Sequence, residues 1–367
     1  MHIAMDIRKY ADFGIGTYIR KMVGYLKQQH ENTLELIAGP DQQAELAADL
    51  RVPVHVNRSP KYSVSELFSV ARQVNALGVD LFHAPHYTLP YGLRTPSVVT
   101  IHDLIHLRFP EYFSIPQRAY ARLVISHACR AAGAVIVDAD FTKGDLITSF
   151  DIAPERIHVI PLGVAPVFRP AASAAELQAD LASMGFEGPY VLYAGGLKPH
   201  KNVSTLLRAF AQFRHRDSAR LVISGENLWV HGELAKLASD LGIKKRILSI
   251  PTNPQRLLRL YQGASVVVIP SRYEGFGLPI LEAMACGTPV IGARATSIPE
   301  VMGEGGMMFD PLSIDELAGL MEKILDDPRL QLAQREYGLR NAARFSWERC
   351  GARTMEVYRT VAGQERT

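Results

Sequence analysis

The feature that most constrains this chain is an alternation of short β-branched or aliphatic runs with longer amphipathic stretches, and the alternation occurs twice. It is typical of βα units, in which a helix returns the chain so that successive strands pair in parallel. We therefore predict an α/β protein with two doubly wound parallel sheets. The strands of the first half are predicted near His2–Ile7, Leu34–Ala38, Val79–His83, Val98–His102, Ala134–Val137 and Ile157–Ile160. Those of the second half are predicted near Tyr190–Ala194, Arg220–Ser224, Ile247–Ile250, Ser265–Ile269, Pro289–Ile291 and Met307–Phe309.

The length of 367 residues and a proline-rich interruption divide this pattern into two parts. A single hydrophobic core stops growing at about 250–300 residues, so the length alone predicts two domains. Three prolines and a glycine fall within Pro161–Pro170 and interrupt both periodicities. We place the boundary there, with domains at residues 1–165 and 166–345.

Composition excludes several classes of protein. Hydrophobic residues make up 47% and charged residues 21% of the chain, as in globular proteins and unlike disordered ones. The formal net charge of +3 is too small for a dedicated nucleic-acid binder. The three cysteines, Cys129, Cys286 and Cys350, form no CxxC pair, so neither a disulfide framework nor a thiolate zinc site is expected.

The N-terminal residues and the hydropathy pattern bear on location. The chain reaches Asp6 without a basic segment followed by an apolar one, so we expect no signal peptide. Even the apolar stretch Ala119–Val137 contains charged residues, whereas a spanning helix needs roughly 20 apolar residues. We expect a cytoplasmic protein, and the basic residues of Gln117–Arg130 leave open a peripheral contact at the inner face of the membrane.

Ligands of doubly wound sheets bind beyond the carboxyl ends of the strands, so the residues that follow strands are the informative ones. Gly14 and Gly16 follow the first predicted strand and enter a helix, whose free amides suit a phosphate. A third glycine of the dinucleotide fingerprint would fall at Ile19, which argues against a nicotinamide dehydrogenase. A tight turn without a ligand remains the alternative.

A second candidate site follows the fourth predicted strand. His102 and His106 have the spacing of two zinc ligands on a helix, but the HDxxH sequence lacks the glutamate of HExxH and a third ligand is not evident. His102 and Asp103 better suit hydrogen bonds to a hydroxylated ligand, with capping of the next helix as the alternative. His83 and His86 form a similar, weaker pair.

The second half carries a more specific arrangement. Gly195 and Gly196 follow a strand, and Lys201 stands at the entry of the next helix, where an anion can dock. After a later strand, Glu274 lies on a loop and Glu282 about one turn inside the following helix. We interpret these residues as two hydroxyl-binding carboxylates that flank a phosphate-sized anion site, the alternative being a solvent-facing helix start.

At these residues the chain resembles the GT-B glycosyltransferases of family 4 type, retaining enzymes that use nucleotide sugars. The most specific element is an E-x7-E pattern, Glu274 to Glu282, within PSRYEGFGLPILEAMACGTPVI. Supporting segments are GIGTY at Gly14–Tyr18, TIHDLIHLRFPEYF at Thr100–Phe113 and YAGGLKPHKN at Tyr193–Asn202, so the resemblance covers nearly the whole chain. Within the family the chain is most similar to bacterial polysaccharide mannosyltransferases.

The resemblance implies a GT-B fold, with two Rossmann-like domains facing across a cleft that holds the donor. It gives His102, Glu274 and Lys201 catalytic roles: His102 beside the sugar, Glu274 on the transferred sugar and Lys201 on the diphosphate. Weaker acceptor-side candidates are His83, His86 and Asp103. The implied donor-binding residues are Gly14, Gly16, Gly195, Gly196, Lys201, Glu274, Gly275, Phe276, Gly277, Leu278 and, on the ribose, Glu282.

The chain departs from the family pattern at two positions. Gly196 stands where many members have an arginine beside the diphosphate, so Lys201, with Lys198 or His200, would supply the charge. Ala139 stands where a serine is often found, which argues against an acceptor role at this position. A C-terminal helix at residues 346–367, with Trp347 as a packing residue, is expected to return to the first domain.

Two further patterns concern metal binding and helix starts. Asp138 and Asp140 form a DxD pattern, but a leaving diphosphate stabilised by lysine and helix amides needs no metal, so we expect no cofactor and interpret Asp140 as a helix cap. Ser-x-x-Glu sequences predict further helix caps, at Ser63, Ser173, Ser297 and Ser313.

The sequence therefore predicts a retaining glycosyltransferase that moves a hexose, of mannose or glucose type, from a nucleotide-diphosphate sugar to a saccharide or lipid-linked acceptor. No nucleic-acid partner is expected. Two alternatives stay open: a non-catalytic nucleotide-sugar-binding protein of the same fold, and a phosphorylase or epimerase of that fold.

Overall fold

The computed structural model describes residues 1–40, 51–185, 188–251 and 253–363, and it divides into two units. The first unit contains Met1–Leu162 and Trp347–Thr367, and the second contains Gly163–Ser346. The division between them falls a few residues before the boundary placed at residue 165.

The first unit is built on a parallel sheet of seven strands among its described residues, in the order β3-β2-β1-β4-β5-β6-β7. Its strands are β1 (His2–Asp6), β2 (Thr33–Ala38), β3 (Val54–Val56), β4 (Leu81–Ala84), β5 (Ser97–Thr100), β6 (Ala134–Val137) and β7 (Ile157–Val159). Its helices are α1 (Phe13–Gln28), α2 (Glu66–Leu77), α3 (Ile105–Arg108), α4 (Ile115–Ala131) and α5 (Asp140–Phe150). The sequence analysis missed β3, whose three half-buried residues are too short to show a periodicity.

The second unit is built on a parallel sheet of six described strands, in the order β10-β9-β8-β11-β12-β13. Its strands are β8 (Tyr190–Gly195), β9 (Arg220–Gly225), β10 (Ile247–Pro251), β11 (Val266–Ile269), β12 (Val290–Ala293) and β13 (Met307–Phe309). Its helices are α6 (Ala174–Ser183), α7 (Val203–Gln212), α8 (Gly232–Asp240), α9 (Pro254–Gly263), α10 (Leu278–Ala285), α11 (Ile298–Met302), α12 (Ile314–Asp326) and α13 (Pro328–Ala342). The central strands β8, β11 and β12 are almost entirely buried, as expected for strands covered on both faces.

The last helix, α14 (Trp347–Ala362), belongs to the first unit. Its buried face carries Tyr358, whose hydroxyl lies 2.5 Å from His83 Nδ1 in a hydrogen bond. Gly351 lets the helix approach α1 closely, because a Cβ there would lie 2.4 Å from the ring of Tyr25. Trp347 is buried and its ring packs 6.5 Å from that of Tyr18.

The predicted helix caps had different outcomes. Ser173 and Ser313 accept hydrogen bonds from the amides of Glu176 and Glu316, so these two caps are present. Ser297 does not cap α11, so that interpretation was wrong. The Asp140 cap was also wrong, because α5 begins at Asp140 and Ala139 occupies the capping position.

Gly16 and Gly14 both lie in the first turn of α1, but only one needs to be glycine on steric grounds. A Cβ on Gly16 would lie 2.4 Å from the carbonyl oxygen of Tyr10, whereas a Cβ on Gly14 would have no atom within 4 Å. Gly16 therefore allows α1 to pack against the turn that follows β1.

We predict that Gly16→Ala lowers the free energy of unfolding by about 1–3 kcal/mol, because the new methyl group overlaps backbone. Gly14→Ala is the matched control, expected to be neutral or to stabilise by up to about 1 kcal/mol, since alanine favours a helix. Urea denaturation of both variants measures this. Equal stability of the two would contradict the steric role of Gly16.

Candidate functional site

In the second unit, Lys201 and Glu274 come together at the carboxyl end of the sheet. Lys201 ends a short 3-10 turn after β8, and Glu274 lies on the loop between β11 and α10. Lys201 Nζ donates to both carboxylate oxygens of Glu274 at 2.8 Å. Because β8 and β11 are parallel neighbours, the segments that follow them lie side by side.

Hydroxyl groups hold the loop that carries Glu274. Ser271 Oγ donates to Glu274 Oε1 at 2.7 Å, and the Glu274 amide donates to Thr296 Oγ1 at 3.0 Å. The buried hydroxyl of Ser297 donates to the carbonyl oxygens of Glu274 and Phe276. Ser297 therefore shapes the candidate site rather than capping its own helix.

The loop enters α10 through Gly277, whose φ of 102° is one that glycine adopts readily. Leu278 and Pro279 then begin the helix, so amides near Gly275 and Gly277 stand at its N-terminus. The ring of Phe276 is buried and packs 5.9 Å from Phe345. This end of α10 has the backbone arrangement of an anion site.

Glu282 lies within α10 and binds a buried tyrosine. The hydroxyl of Tyr261, on α9, donates to Glu282 Oε2 at 3.0 Å. Burial raises the pKa of Glu282 to about 7, and the hydrogen bond from Tyr261 lowers it only in part. The groups that shift the pKa of Glu282 include no cation. The carboxylate of Glu274, by comparison, forms an ion pair with Lys201.

The two glycines at the end of β8, Gly195 and Gly196, have different surroundings. Gly195 has a φ of 157°, and a Cβ there would lie 3.1 Å from the hydroxyl of Tyr193. Gly196 lies beside Glu226, which accepts a hydrogen bond from the Leu197 amide. Lys198 is exposed, so Lys201 is the lysine of this segment that the structure joins to Glu274.

In the first unit, His102 pairs with Asp138 at the carboxyl ends of β5 and β6. His102 Nδ1 lies 2.6 Å from Asp138 Oδ2, and Nε2 lies 3.2 Å from the carbonyl oxygen of Pro85. A carbonyl oxygen can only accept, so Nε2 carries a hydrogen. The second hydrogen is shared between Nδ1 and the carboxylate.

The protonation of His102 follows from this pairing. Burial by itself lowers the pKa of His102, but the charge and hydrogen bond of Asp138 raise it, so that it lies above the ordinary histidine value. Burial raises the pKa of Asp138 and His102 opposes that shift. The pair thus presents an imidazole ring fixed in orientation with a hydrogen on Nε2.

The weaker candidates of the first unit, His83, His86 and Asp103, differ in their surroundings. His83 is fully buried, with Nε2 2.8 Å from Thr100 Oγ1 and Nδ1 bonded to Tyr358, and burial lowers its pKa to about 3. It is a neutral core residue, out of reach of an acceptor. Asp103 Oδ1 accepts the amide hydrogen of Ile105, the first residue of α3, although Leu104 occupies the capping position. His86 lines a pocket instead.

Neither the zinc spacing nor the DxD pattern produces a metal cluster in the described part of the chain. His102 precedes α3, so it does not share a helical face with His106. Asp138 is buried against His102, whereas Asp140 is exposed. No group of three or more histidine, cysteine, aspartate or glutamate side chains with metal-binding geometry occurs among the described residues.

Among the residues that the structure describes, no helix combines the length and the apolar character that crossing a bilayer requires.

Sequence reasoning missed Asp138, Tyr261 and Ser297 as members of these sites. The register of β5 and β6 pairs Thr100 with Ile136, which places His102 opposite Asp138 two residues further on. Both strands were predicted from the sequence, but their pairing and register, on which this contact depends, were not. The contacts of Tyr261 and Ser297 join segments far apart in sequence, and no local pattern marks them.

Family models match both halves of the chain. The model described as Glycosyltransferase Family 4 matches residues 14–167, and the model described as Glycosyl transferases group 1 matches residues 184–341. The second match contains Lys201, Glu274 and Glu282, and the first contains His102 and Asp138.

Individual proteins resemble this chain over its whole length or over part of it. The O-antigen chain mannosyltransferase B of Escherichia coli is 31% identical over 96% of this chain and 97% of its own. The MMP alpha-(1->4)-mannosyltransferase of Mycolicibacterium hassiacum is 35% identical over 59% of this chain and 51% of its own. Among solved structures, Anabaena Alr3699/HepE in complex with UDP and glucose has a TM-score of 0.82 at 21% identity, covering 98% of this chain and 100% of that one.

We predict that Glu282→Gln stabilises the protein at pH 8. Burial raises the pKa of Glu282 to about 7 in the folded protein, whereas in the unfolded chain this group ionises from about pH 4.5. The free energy of unfolding therefore falls as the pH rises from 4.5 to 7. Glutamine does not ionise, and partial solvent access limits the expected gain to about 1–3 kcal/mol above pH 7.

Thermal or urea unfolding between pH 4.5 and 8 measures this, with Glu304→Gln, at an exposed position, as the control. The gain should shrink toward pH 4.5. A variant that is less stable than the wild type at pH 8 would show that the ionised carboxylate supports the fold.

Proposed function

Because the chain belongs to the GT-B glycosyltransferases of family 4 type, we propose that it transfers a hexose, of mannose or glucose type, from a nucleotide-diphosphate sugar to a hydroxyl of a saccharide or lipid-linked saccharide. We propose further that transfer retains the anomeric configuration and needs no metal ion. The activities for which the two mannosyltransferase relatives are named support the choice of a hexose.

The observation that carries this proposal is the Lys201–Glu274 pair at the N-terminus of α10. A diphosphate would bind the Lys201 ammonium together with the helix amides, and both would stabilise the charge that develops as the glycosidic bond breaks. Glu274, released from the lysine, would accept hydrogen bonds from hydroxyls of the transferred sugar. Lysine and amides supply the positive potential that a metal ion would otherwise provide.

The ribose is assigned to Glu282. Its carboxylate bonds to Tyr261 through one oxygen, and a diol donating to the other would favour the ionised form that burial disfavours. Nucleotide binding would therefore lower the pKa of Glu282.

The proposed chemistry is front-face substitution. None of the carboxylates among the candidate residues is assigned the role of a nucleophile. The departing phosphate oxygen would therefore accept the proton of the attacking hydroxyl, on the same face of the transferred sugar. In the first unit, His102 is given the role of a hydrogen-bond donor to the reacting sugar: its Nε2 would exchange the carbonyl oxygen of Pro85 for a sugar oxygen, while Asp138 fixes the ring through Nδ1. The second unit supplies the stabilisation of the leaving group.

NMR of the first-formed product tests the proposal. The reaction contains enzyme treated with a chelator, either GDP-mannose or UDP-glucose as the donor, and a saccharide acceptor. We expect transfer with the α configuration kept. A β product would refute retention, activity restored only by Mg²⁺ or Mn²⁺ would refute metal independence, and donor binding without transfer would favour a non-catalytic protein.

We predict that Lys201→Ala lowers kcat/KM by about 10–100-fold, because a charge-assisted hydrogen bond contributes about 1.5–3 kcal/mol. Donor binding and turnover should fall together, since the leaving diphosphate gains charge in the transition state. Lys236→Ala, at an exposed lysine of α8, is the control in steady-state kinetics. Wild-type kinetics of Lys201→Ala would remove this lysine from the site.

We predict that the two glutamates differ in what their loss affects. Glu274→Gln should lower kcat more than affinity for the bare nucleoside diphosphate, because the sugar changes geometry in the transition state. Glu282→Gln should weaken nucleoside diphosphate and intact donor alike, because the ribose does not change. Calorimetry beside steady-state kinetics separates these effects, and the opposite pattern would reverse the two assignments.

A further inference from the structure

Thr296, between β12 and α11, has a backbone conformation that residues with side chains rarely adopt. Its φ is 51°, which is an outlier for a β-branched residue. The residue lies in a tight turn, in which the Ile298 amide donates to the Ala295 carbonyl oxygen at 3.1 Å and Ser297 has a φ of −77° and a ψ of −11°. A positive φ followed by these values is the pattern of a type II′ turn, whose first central position is normally glycine.

The threonine side chain makes a contact that glycine could not make. Thr296 Oγ1 accepts the amide hydrogen of Glu274 at 3.0 Å, across 22 residues of sequence. The hydroxyl of the next residue, Ser297, donates to the Glu274 carbonyl oxygen at 2.9 Å. Two consecutive hydroxyl groups therefore bind both polar backbone atoms of Glu274. These bonds fix the peptide groups on either side of the Glu274 Cα, and with them the direction of its Cα–Cβ bond.

The strained turn explains how both hydroxyl groups reach the same residue. In an extended chain, consecutive side chains point to opposite sides. Here the side chains of Thr296 and Ser297 both bond to Glu274, because the chain reverses at Thr296. Backbone strain persists only where the surrounding structure imposes it, and it is concentrated at catalytic and ligand-binding segments. The strain at Thr296 is accounted for if the contact with Glu274 serves the site.

Backbone bonds are the ones that remain when the site fills. The Glu274 carboxylate is held by Lys201 and by Ser271 in this structure. In the proposed function Lys201 binds the diphosphate, so the carboxylate gives up this partner when the donor enters. The bonds from Thr296 and Ser297 do not involve the carboxylate, so they would hold Glu274 while its side chain binds the sugar.

We propose that Thr296 is a positioning residue, whose hydroxyl holds the Glu274 amide so that the Glu274 carboxylate meets the transferred sugar correctly in the transition state. The proposal rests on the proposed function, because it assumes that Glu274 binds the sugar. Thr296 acts through Glu274 and is assigned no contact with the donor.

Three substitutions at Thr296 separate the hydroxyl from the backbone strain. Thr296→Ser keeps the hydroxyl, Thr296→Val keeps the β-branched shape without it, and Thr296→Gly removes both the hydroxyl and the strain. Steady-state kinetics should show kcat lowered about 10-fold in Thr296→Val and Thr296→Gly but retained in Thr296→Ser. Thermal unfolding should place Thr296→Gly several degrees above Thr296→Val. Activity would then follow the hydroxyl, and stability the backbone.

Two further measurements identify the step and the contact. Calorimetry with GDP and UDP should give affinities within about twofold of the wild type, because the groups assigned to the nucleotide, Lys201 and Glu282, are not held by Thr296. Hydrogen–deuterium exchange at the Glu274 amide should be faster in Thr296→Val and Thr296→Gly than in the wild type. The matched control is Ser173→Ala, which removes a similar bond from an amide to a hydroxyl, that of Glu176 to Ser173 at 3.2 Å. It should change neither kcat nor the exchange at Glu274.

Wild-type kcat in Thr296→Gly, unchanged exchange at the Glu274 amide, or loss of activity in Thr296→Ser would overturn the proposal. Thr296→Gly keeps the test decisive if Thr296→Val does not fold, because it carries no backbone strain. Absence of transfer by the wild type would refute the proposed function and this proposal with it. Transfer by the wild type that none of the substitutions slows would refute only the role of Thr296.

Discussion

Parallel strand pairing is the constraint on which the candidate sites depend. In a parallel sheet all carboxyl ends lie at one edge, so side chains that are distant in sequence but follow neighbouring strands meet there. Lys201 meets Glu274 because β8 lies beside β11, and His102 meets Asp138 because β5 lies beside β6. Each pair is a consequence of strand order within its own unit, and any change of register would separate its members.

The fold could be predicted to a greater extent than the sites. The alternating pattern located twelve of the thirteen described strands, because buried parallel strands are continuous apolar runs. The motif residues Lys201, Glu274 and Glu282 lie at the predicted edge, because glycines and a helix start mark their loops. Side-chain contacts between distant segments could not be predicted. The Ser-x-x-Glu pattern predicts a helix cap at Ser297, yet the Ser297 hydroxyl bonds to carbonyl oxygens more than twenty residues earlier in the chain.

Burial distinguishes residues that sequence alone treats as equivalent. His83 and His102 both lie at strand ends, but His83 is a neutral core group bonded on both nitrogens, whereas Asp138 keeps the pKa of His102 above its ordinary value. Lys9 was not recognised from the sequence, because a lysine after a strand is normally solvated. Only the structure shows its ammonium buried without a hydrogen bond.

Two kinds of polar group therefore occupy the carboxyl edges, and they contribute differently to binding. The Lys201–Glu274 and His102–Asp138 pairs are satisfied by each other, so a ligand gains from them only the difference between new bonds and those it replaces. Glu282 carries an ionised form that burial disfavours, so a ligand that bonds to it recovers free energy that folding has lost. Affinity should accordingly depend most on Glu282, while the paired groups fix the orientation of what they bind.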